Sequence, residues 1–171
     1  MAHALLLVGP VGSGKTTTLH EIETILDAQG VPNAIIDLDW LAWASPTRGS
    51  VHDLLVRNLA DVWRNLRDAG VERIALARAL DDAAEIAAVR AALDGCDTFV
   101  VDLAGDALEL RERVRRRDAG VELEQHLALL DRWEATERGV CADAVVAIDG
   151  KTPRQVALDV LGAAGWPLHG A

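Results

Sequence analysis

No stretch of this chain is both long and apolar. Its hydrophobic opening, Ala4–Val8, spans five residues before it meets glycine, against the roughly 20 that a membrane-spanning helix needs. The opening also lacks a basic flank, which predicts neither a bilayer span nor a secretory leader, and hence a cytoplasmic protein. Basic residues are scarce as well: 17 Lys and Arg stand against 27 Asp and Glu, for a net charge of −10. Nucleic acid and anionic membrane are thereby excluded as general partners, because both demand a cationic surface. A local phosphate site remains compatible with that balance. Cysteine is nearly absent, and Cys96 and Cys141 lack metal-type spacing, so two buried free thiols in a reducing compartment are expected. Also missing are repeats, linkers, low-complexity tracts and any Ser, Gln or Pro excess, which excludes disorder. The 171 residues, half of them hydrophobic, suit one domain with a proper core, residues 1–171.

What is present is alternation. Ala4–Val8, Ala34–Leu38, Arg73–Leu80, Thr98–Leu103 and Ala144–Ile148 are short, mostly continuous apolar runs, as expected of strands buried on both faces. Amphipathic stretches lie between them. Leu55, Leu59, Val62, Trp63 and Leu66 mark one face of a helix opened by Ser50, with Asp53 at the capping-box position. Ile86, Val89, Ala92 and Leu93 mark a second helix, and Leu123, Leu127, Leu130 and Trp133 a third. Gly30, Gly70, Gly95, Gly120 and Gly150 punctuate the element ends. Such alternation predicts an α/β domain, a parallel sheet with helices on both faces.

The first strand runs into Gly9-Pro10-Val11-Gly12-Ser13-Gly14-Lys15-Thr16, which fits G-x-x-x-x-G-K-[ST] in full and precedes a predicted helix. Glycine lets the backbone fold around an anion with its N–H groups inward, and the helix start adds its dipole. Gly9, Pro10, Val11, Gly12, Ser13, Gly14, Lys15, Thr16 and Thr17 are therefore the candidate nucleotide cradle. Lys15 is placed to reach the β- and γ-phosphates and Thr16 to ligate Mg²⁺. These residues imply a nucleoside triphosphate.

A phosphate cradle serves several ends. Phe99-Val100-Val101-Asp102-Leu103-Ala104-Gly105 has the strand and D-x-x-G of a GTPase switch, yet no N-K-x-D or T-K-x-D follows, and Gly150-Lys151-Thr152-Pro153 lacks the aspartate. A strand-end role for Asp102 explains it as well. The loop "GPVGSGKTTTL" is similar to that of secretion and pilus ATPases, but the chain has no room for their further acidic and histidine motifs.

The order of elements carries a broader resemblance. A P-loop is followed by Asp37-x-Asp39 after the second strand, by the arginine-rich "LRERVRRRDAG" after the fourth, and by Gly150-Lys151-Thr152-Pro153 after the fifth. This layout resembles the compact P-loop kinases related to shikimate, gluconate and adenylylsulfate kinases. The resemblance implies the three-layer P-loop NTPase fold, with a five-stranded parallel sheet of order 2-3-1-4-5. It also implies an arginine lid at about 111–122, ATP and Mg²⁺ as cofactors, and a small hydroxyl-bearing acceptor as partner. A nucleotide-binding switch or regulatory NTPase using Asp102-x-x-Gly105 stands as the alternative.

Within the lid, Arg113 shares a helical face with Arg116 and Arg117. Guanidiniums so placed suit a phosphoryl group in transfer. A solvated face, with Glu109, Glu112 and Asp118 as salt-bridge partners, is the plainer explanation. By resemblance, Arg111 stacks on adenine, and Gly150, Lys151 and Thr152 border the base.

If the second strand persists to Asp39, its period of two turns Asp37 and Asp39 to one side. The resemblance gives Asp37 to the metal, beside Thr16, and Asp39 to the acceptor hydroxyl as base; capping is the alternative for such acids. Asp81 and Asp82 compete for the metal-supporting role, with Asp102 behind them. Acceptor-site candidates are Asp39, Trp40, Trp43, Arg48, Arg57 and Arg78. Arg78 interrupts a buried run, so it is either ion-paired or reaching into the cleft. His52 reads as surface or helix-start decoration, and Trp63, Trp133 and Trp166 as packing residues.

The chain departs from each named kinase. No G-G-G follows the third strand, Ala42 stands where adenylylsulfate kinases have arginine, and gluconate kinase signatures are missing. The acceptor is not inherited, and a nucleoside monophosphate is compatible with Arg78 and the lid. Nothing in the sequence decides between monomer and homodimer.

Overall fold

Alternate residues of the first strand face opposite ways, and so the chain builds two cores on one sheet. The protein is seen here as a computed structural model that describes residues 2–44, 49–80, 82–135 and 141–166. In β1 (Ala2–Val8), Leu5 and Leu7 join one apolar cluster with Leu19 and Ile22 of α1 (Lys15–Ala28) and Val156 and Val160 of α6 (Pro153–Ala163). Ala4, Leu6 and Val8 join the other. That cluster holds Leu55, Leu59 and Trp63 of α2 (Val51–Asp68) and Ile86 and Val89 of α3 (Ala83–Ala92). Each fully buried aliphatic side chain contributes about 1.5–3 kcal/mol.

The sheet order is β2 (Asn33–Asp37), β3 (Arg73–Ala77), β1, β4 (Cys96–Ala104) and β5 (Ala144–Ala147), with every neighbouring pair parallel. This is the expected 2-3-1-4-5 order. Two helices separate β4 from β5, α4 (Ala107–Arg117) and α5 (Gly120–Ala135). They add Leu110, Val114 and Leu130 to the first cluster. The stripes predicted for α2 and α3 are the ones that turn inward. Ser50 caps α2 by accepting from Asp53 N at 3.2 Å.

Parallel strands end in one row, and the register shows where. Asp37 and Leu7 both pair with Ala77, and Val8 pairs with Asp102. The carboxyl ends of four strands therefore meet the loop that follows β1. In open α/β sheets that end is where ligands settle.

Three sequence expectations need correction. β3 stops at Ala77, so Arg78 follows the strand instead of interrupting it. β2 stops at Asp37, where the chain tightens into a 3₁₀ turn, Leu38–Ala42. Cys96 is half-buried and Cys141 exposed, both free; burial pushes the Cys96 thiol up to about 11, whereas Cys141 lies outside any element. Among the described residues, no helix is long and apolar enough to cross a membrane.

Candidate active site

The helix after the P-loop begins without a side-chain cap. Its N-cap is Gly14, whose positive φ of 82° glycine tolerates and whose absent Cβ leaves open space within 4 Å. By contrast Ser50, Asp82, Asp106 and Thr152 each cap their helices with a side-chain oxygen. The first N–H groups of α1 are left for an outside acceptor, which is what a polyphosphate supplies. The buried Ser13 Oγ likewise has no partner. The donor set fits a nucleotide phosphate.

Lys15 is turned back on its own loop, its Nζ donating to Gly9 O at 2.9 Å and Pro10 O at 2.8 Å. Burial lowers its pKa to about 8, against the opposing pull of Asp39 and Asp37. Thr16 Oγ1 donates to Asp37 Oδ2 at 2.8 Å. A hydroxyl and a carboxylate side by side at the helix start are hard oxygen ligands of the kind Mg²⁺ takes along with its waters.

Two of the cavities that border this cradle meet at its glycines. One, of about 270 Å³, lies between Gly12–Gly14, Arg113 and Arg117 on one side and Lys151, Pro153 and Val156 on the other. The second, of about 370 Å³, runs from Lys15 and Thr16 past Asp37 and Asp39 to Arg78. Its far wall is Glu122, His126 and Leu129 of α5. Gly12, Gly14, Thr17 and Arg117 line both. Arg117 thus stands at the seam.

The two acids reach the second cavity by a different route from the one expected. With β2 ended, Asp37 caps the 3₁₀ turn, its Oδ1 accepting from Asp39 N at 3.2 Å. Asp39 faces Arg78, with 3.6 Å between Oδ1 and Nε. Arg78 is therefore both ion-paired and in the cleft, and its buried Nη1 has no partner. Asp82 is committed as the cap of α3, accepting from Ala84 N at 2.7 Å. Asp102 is buried and lines neither cavity. Gly105 has a packing reason, since a Cβ there would meet Ile148 at 2.8 Å.

Three arginines of α4 hold the acids that the sequence offered them. Arg113 pairs with Glu109, Arg116 with Glu112 and Arg117 with Asp118. Only Arg113 and Arg117 reach a cavity; Arg116, 78% exposed, stands away from both. Arg111 is tied to Asp131 at 2.6 Å and Glu134 at 3.0 Å, with its pKa raised by those hydrogen bonds. Being spent on α5, it leaves the wall of the first cavity to Arg113. Lys151, ion-paired with Asp159 at 2.8 Å, lines that cavity. Gly150 and Thr152 do not, Thr152 forming the capping box of α6 with Gln155.

Trp40 and Trp43 wall neither cavity. They are 69% and 76% exposed and lie against each other at 4.7 Å. The 3₁₀ turn buries Leu38 and Ala42 and so points Trp40 outward. Arg57 is exposed on α2, away from the cleft, and His52 is half-buried beside Glu85 at 3.6 Å. Trp63 and Trp166 are core, and Trp133 is half-buried. Arg48 and Asp81 lie outside the described residues. Glu122 and His126 were missed by sequence reasoning, although Asp118, Glu122 and His126 recur at the helical spacing of four that shares one face.

No protein-family model and no curated protein matches this sequence. Solved structures do match. The Deinococcus radiodurans tunicamycin resistance protein superposes with a TM-score of 0.68 at 17% identity, over 98% of each chain. The Mycobacterium tuberculosis APS kinase in complex with AMPPNP and APS gives 0.66 at 20% identity, over 96% of this chain and 98% of that one. Shikimate kinase from Acinetobacter baumannii in complex with shikimate gives 0.57 at 19%, over 96% and 93%. The chain has the fold of the small P-loop kinases. At these identities the likeness concerns the fold, and the cleft's chemistry rests on its own residues.

Proposed function

We propose that this protein is an ATP- and Mg²⁺-dependent kinase that moves the γ-phosphate to a hydroxyl of a small molecule. The observation that carries the reading is the meeting of two cavities at the P-loop and Arg117. One offers phosphate donors and a wall for a base; the other ends at Asp37, Asp39 and Arg78. Neighbours in fold that are named as kinases support the same class.

In this reading Mg²⁺, held by Thr16 and Asp37, supplies charge neutralisation at the phosphates. Lys15 leaves the Gly9 and Pro10 carbonyls for the β- and γ-oxygens, regaining a partner for its buried charge. Arg117, at the seam, faces the charge that develops on the transferring group, and Arg113 borders the nucleotide beside it. Asp39 orients the acceptor hydroxyl and takes its proton, while Arg78 holds the carboxylate in place. Arg116 acts only if the lid moves. By this reading the protein is a cytoplasmic metabolite kinase.

The test is acceptor-stimulated ADP release, screened over small hydroxylated metabolites and nucleoside monophosphates. Asp39→Asn is expected to keep ATP affinity within about twofold and to lower kcat by roughly 10²–10⁴-fold, the usual worth of a general base. Unchanged turnover removes Asp39 from the mechanism. Tight binding of GTP over ATP overturns the kinase reading in favour of a switch.

A further inference from the structure

We propose that His126 is a positioning residue which, through Asp118, fixes the guanidinium of Arg117 at the seam between the two cavities. The inference rests on the kinase reading for what Arg117 meets there, and on geometry for how it is held. Asp118 ends α4, its N–H donating to Val114 O, and sits at the corner just before α5 begins. Its side chain is only 3% exposed. A carboxylate so buried must be fully engaged. Its Oδ1 accepts from Arg117 Nε at 2.6 Å, and its Oδ2 accepts from Arg117 Nη2 at 3.0 Å and from His126 Nδ1 at 2.7 Å.

Three consequences follow from donor and acceptor counts. Arginine has five N–H groups in a planar fork, and the bidentate pair uses two. The remaining three are left for a phosphoryl group. His126 faces an ionised carboxylate through Nδ1, so Nδ1 must carry a proton. The 3.3 Å approach of Arg117 Nη2 to His126 Nδ1 is therefore two donors sharing one acceptor, not a bond between them.

Arg117 and Asp118 are chain neighbours, so their pair alone does not tie the guanidinium to anything beyond the end of α4. His126 does, because it reaches Asp118 from the next helix. Histidine thereby joins the lid's second helix to the arginine of its first, and it lines the acceptor cavity while doing so. Oxygen and nitrogen atoms of Asp118, Glu122 and His126 all lie within 4.8 Å of one another. A cation ligated there through His126 Nδ1 would have to displace the proton that this nitrogen gives to Asp118.

The test compares ATP and ADP affinity by calorimetry for the wild type and for His126→Ala, His126→Asn and His126→Gln. A guanidinium aimed at the γ-phosphate favours ATP. His126→Ala is expected to reduce the ATP-over-ADP ratio about tenfold, the worth of one charge-assisted contact, with ADP affinity changed less than about twofold. Asn, whose amide stands in for Nδ1, should restore the ratio; Gln, which mimics Nε2, should not. An unchanged ratio in His126→Ala, or rescue by Gln and not by Asn, overturns the proposal. So does a wild-type ratio that collapses on chelation and returns with Zn²⁺ alone. If the alanine variant fails to fold, the Asn and Gln pair carries the test. A wild type that discriminates ATP from ADP yet transfers to no acceptor fails the kinase reading and leaves this one standing.

Discussion

Asp118 is the residue whose charge ties the end of α4 to α5. Hydrogen bonds from Arg117, then from His126, hold its carboxyl down at about 2. A depressed carboxylate stabilises the fold above its unfolded pKa and loses that contribution as pH falls through the folded value. Asp118→Asn should therefore cost about 1 kcal/mol near neutral pH, where charge-assisted bonds are lost. The gap between variant and wild type should close as pH drops from about 4 to about 2. Urea unfolding across that range measures it, and a constant gap would mean that Asp118 contributes by shape alone. Lys15 works in the opposite sense. Burial and the nearby Arg117 oppose its charge, and its resting bonds to Gly9 and Pro10 offset that cost until a phosphate arrives.

Among the elements, α4 presses against the P-loop at Gly12. Gly12 has φ of 83°, and a Cβ there would meet Leu110 O and Val114 Cγ2, both at 3.1 Å. Gly14 has a similar φ and nothing nearby. Gly12→Ala combines backbone strain with overpacking and is expected to destabilise by about 2–4 kcal/mol, whereas Gly14→Ala has strain alone, about 1–2 kcal/mol. Chemical denaturation of the two variants tests the ranking, and equal losses would mean that α4 yields freely. This contact was invisible in the sequence, where both glycines read as one phosphate loop. Local patterns did identify the strands: β1, β3 and most of β4 are apolar because they are buried on both faces, whereas the edge strands β2 and β5 are apolar yet only partly buried. They did not show that β2 ends at Asp37, since the turn there is settled by Leu38 and Ala42 finding the core. Nor did they bring His126 to the cleft, because the packing of α5 beside α4 is a tertiary fact.

The whole molecule separates what holds it together from what it acts with. Two cores lie on opposite faces of the sheet, and the candidate site groups gather at one end of it, where β1, β2 and β3 stop within a residue of one another. Fold and phosphate cradle were both legible, the first from alternation and motif order, the second from a spacing that backbone geometry demands. The second cavity was legible only in part: Asp39 and Arg78, both named from the sequence, line it, whereas Glu122 and His126 arrive from α5 and Trp40 and Trp43 turn away. The exposed pair Trp40 and Trp43 gives that end a signal of its own. Trp63 and Trp166 are sealed in the core, so iodide in solution quenches the outer indoles and spares these two. Trp40 adjoins Asp39, the proposed base, and filling the second cavity should alter the quenched fraction of emission while ADP alone leaves it nearly unchanged. If the proposed kinase takes its acceptor there, the emission of this exposed pair is expected to report it, and an unchanged quenched fraction on acceptor binding would count against that placement.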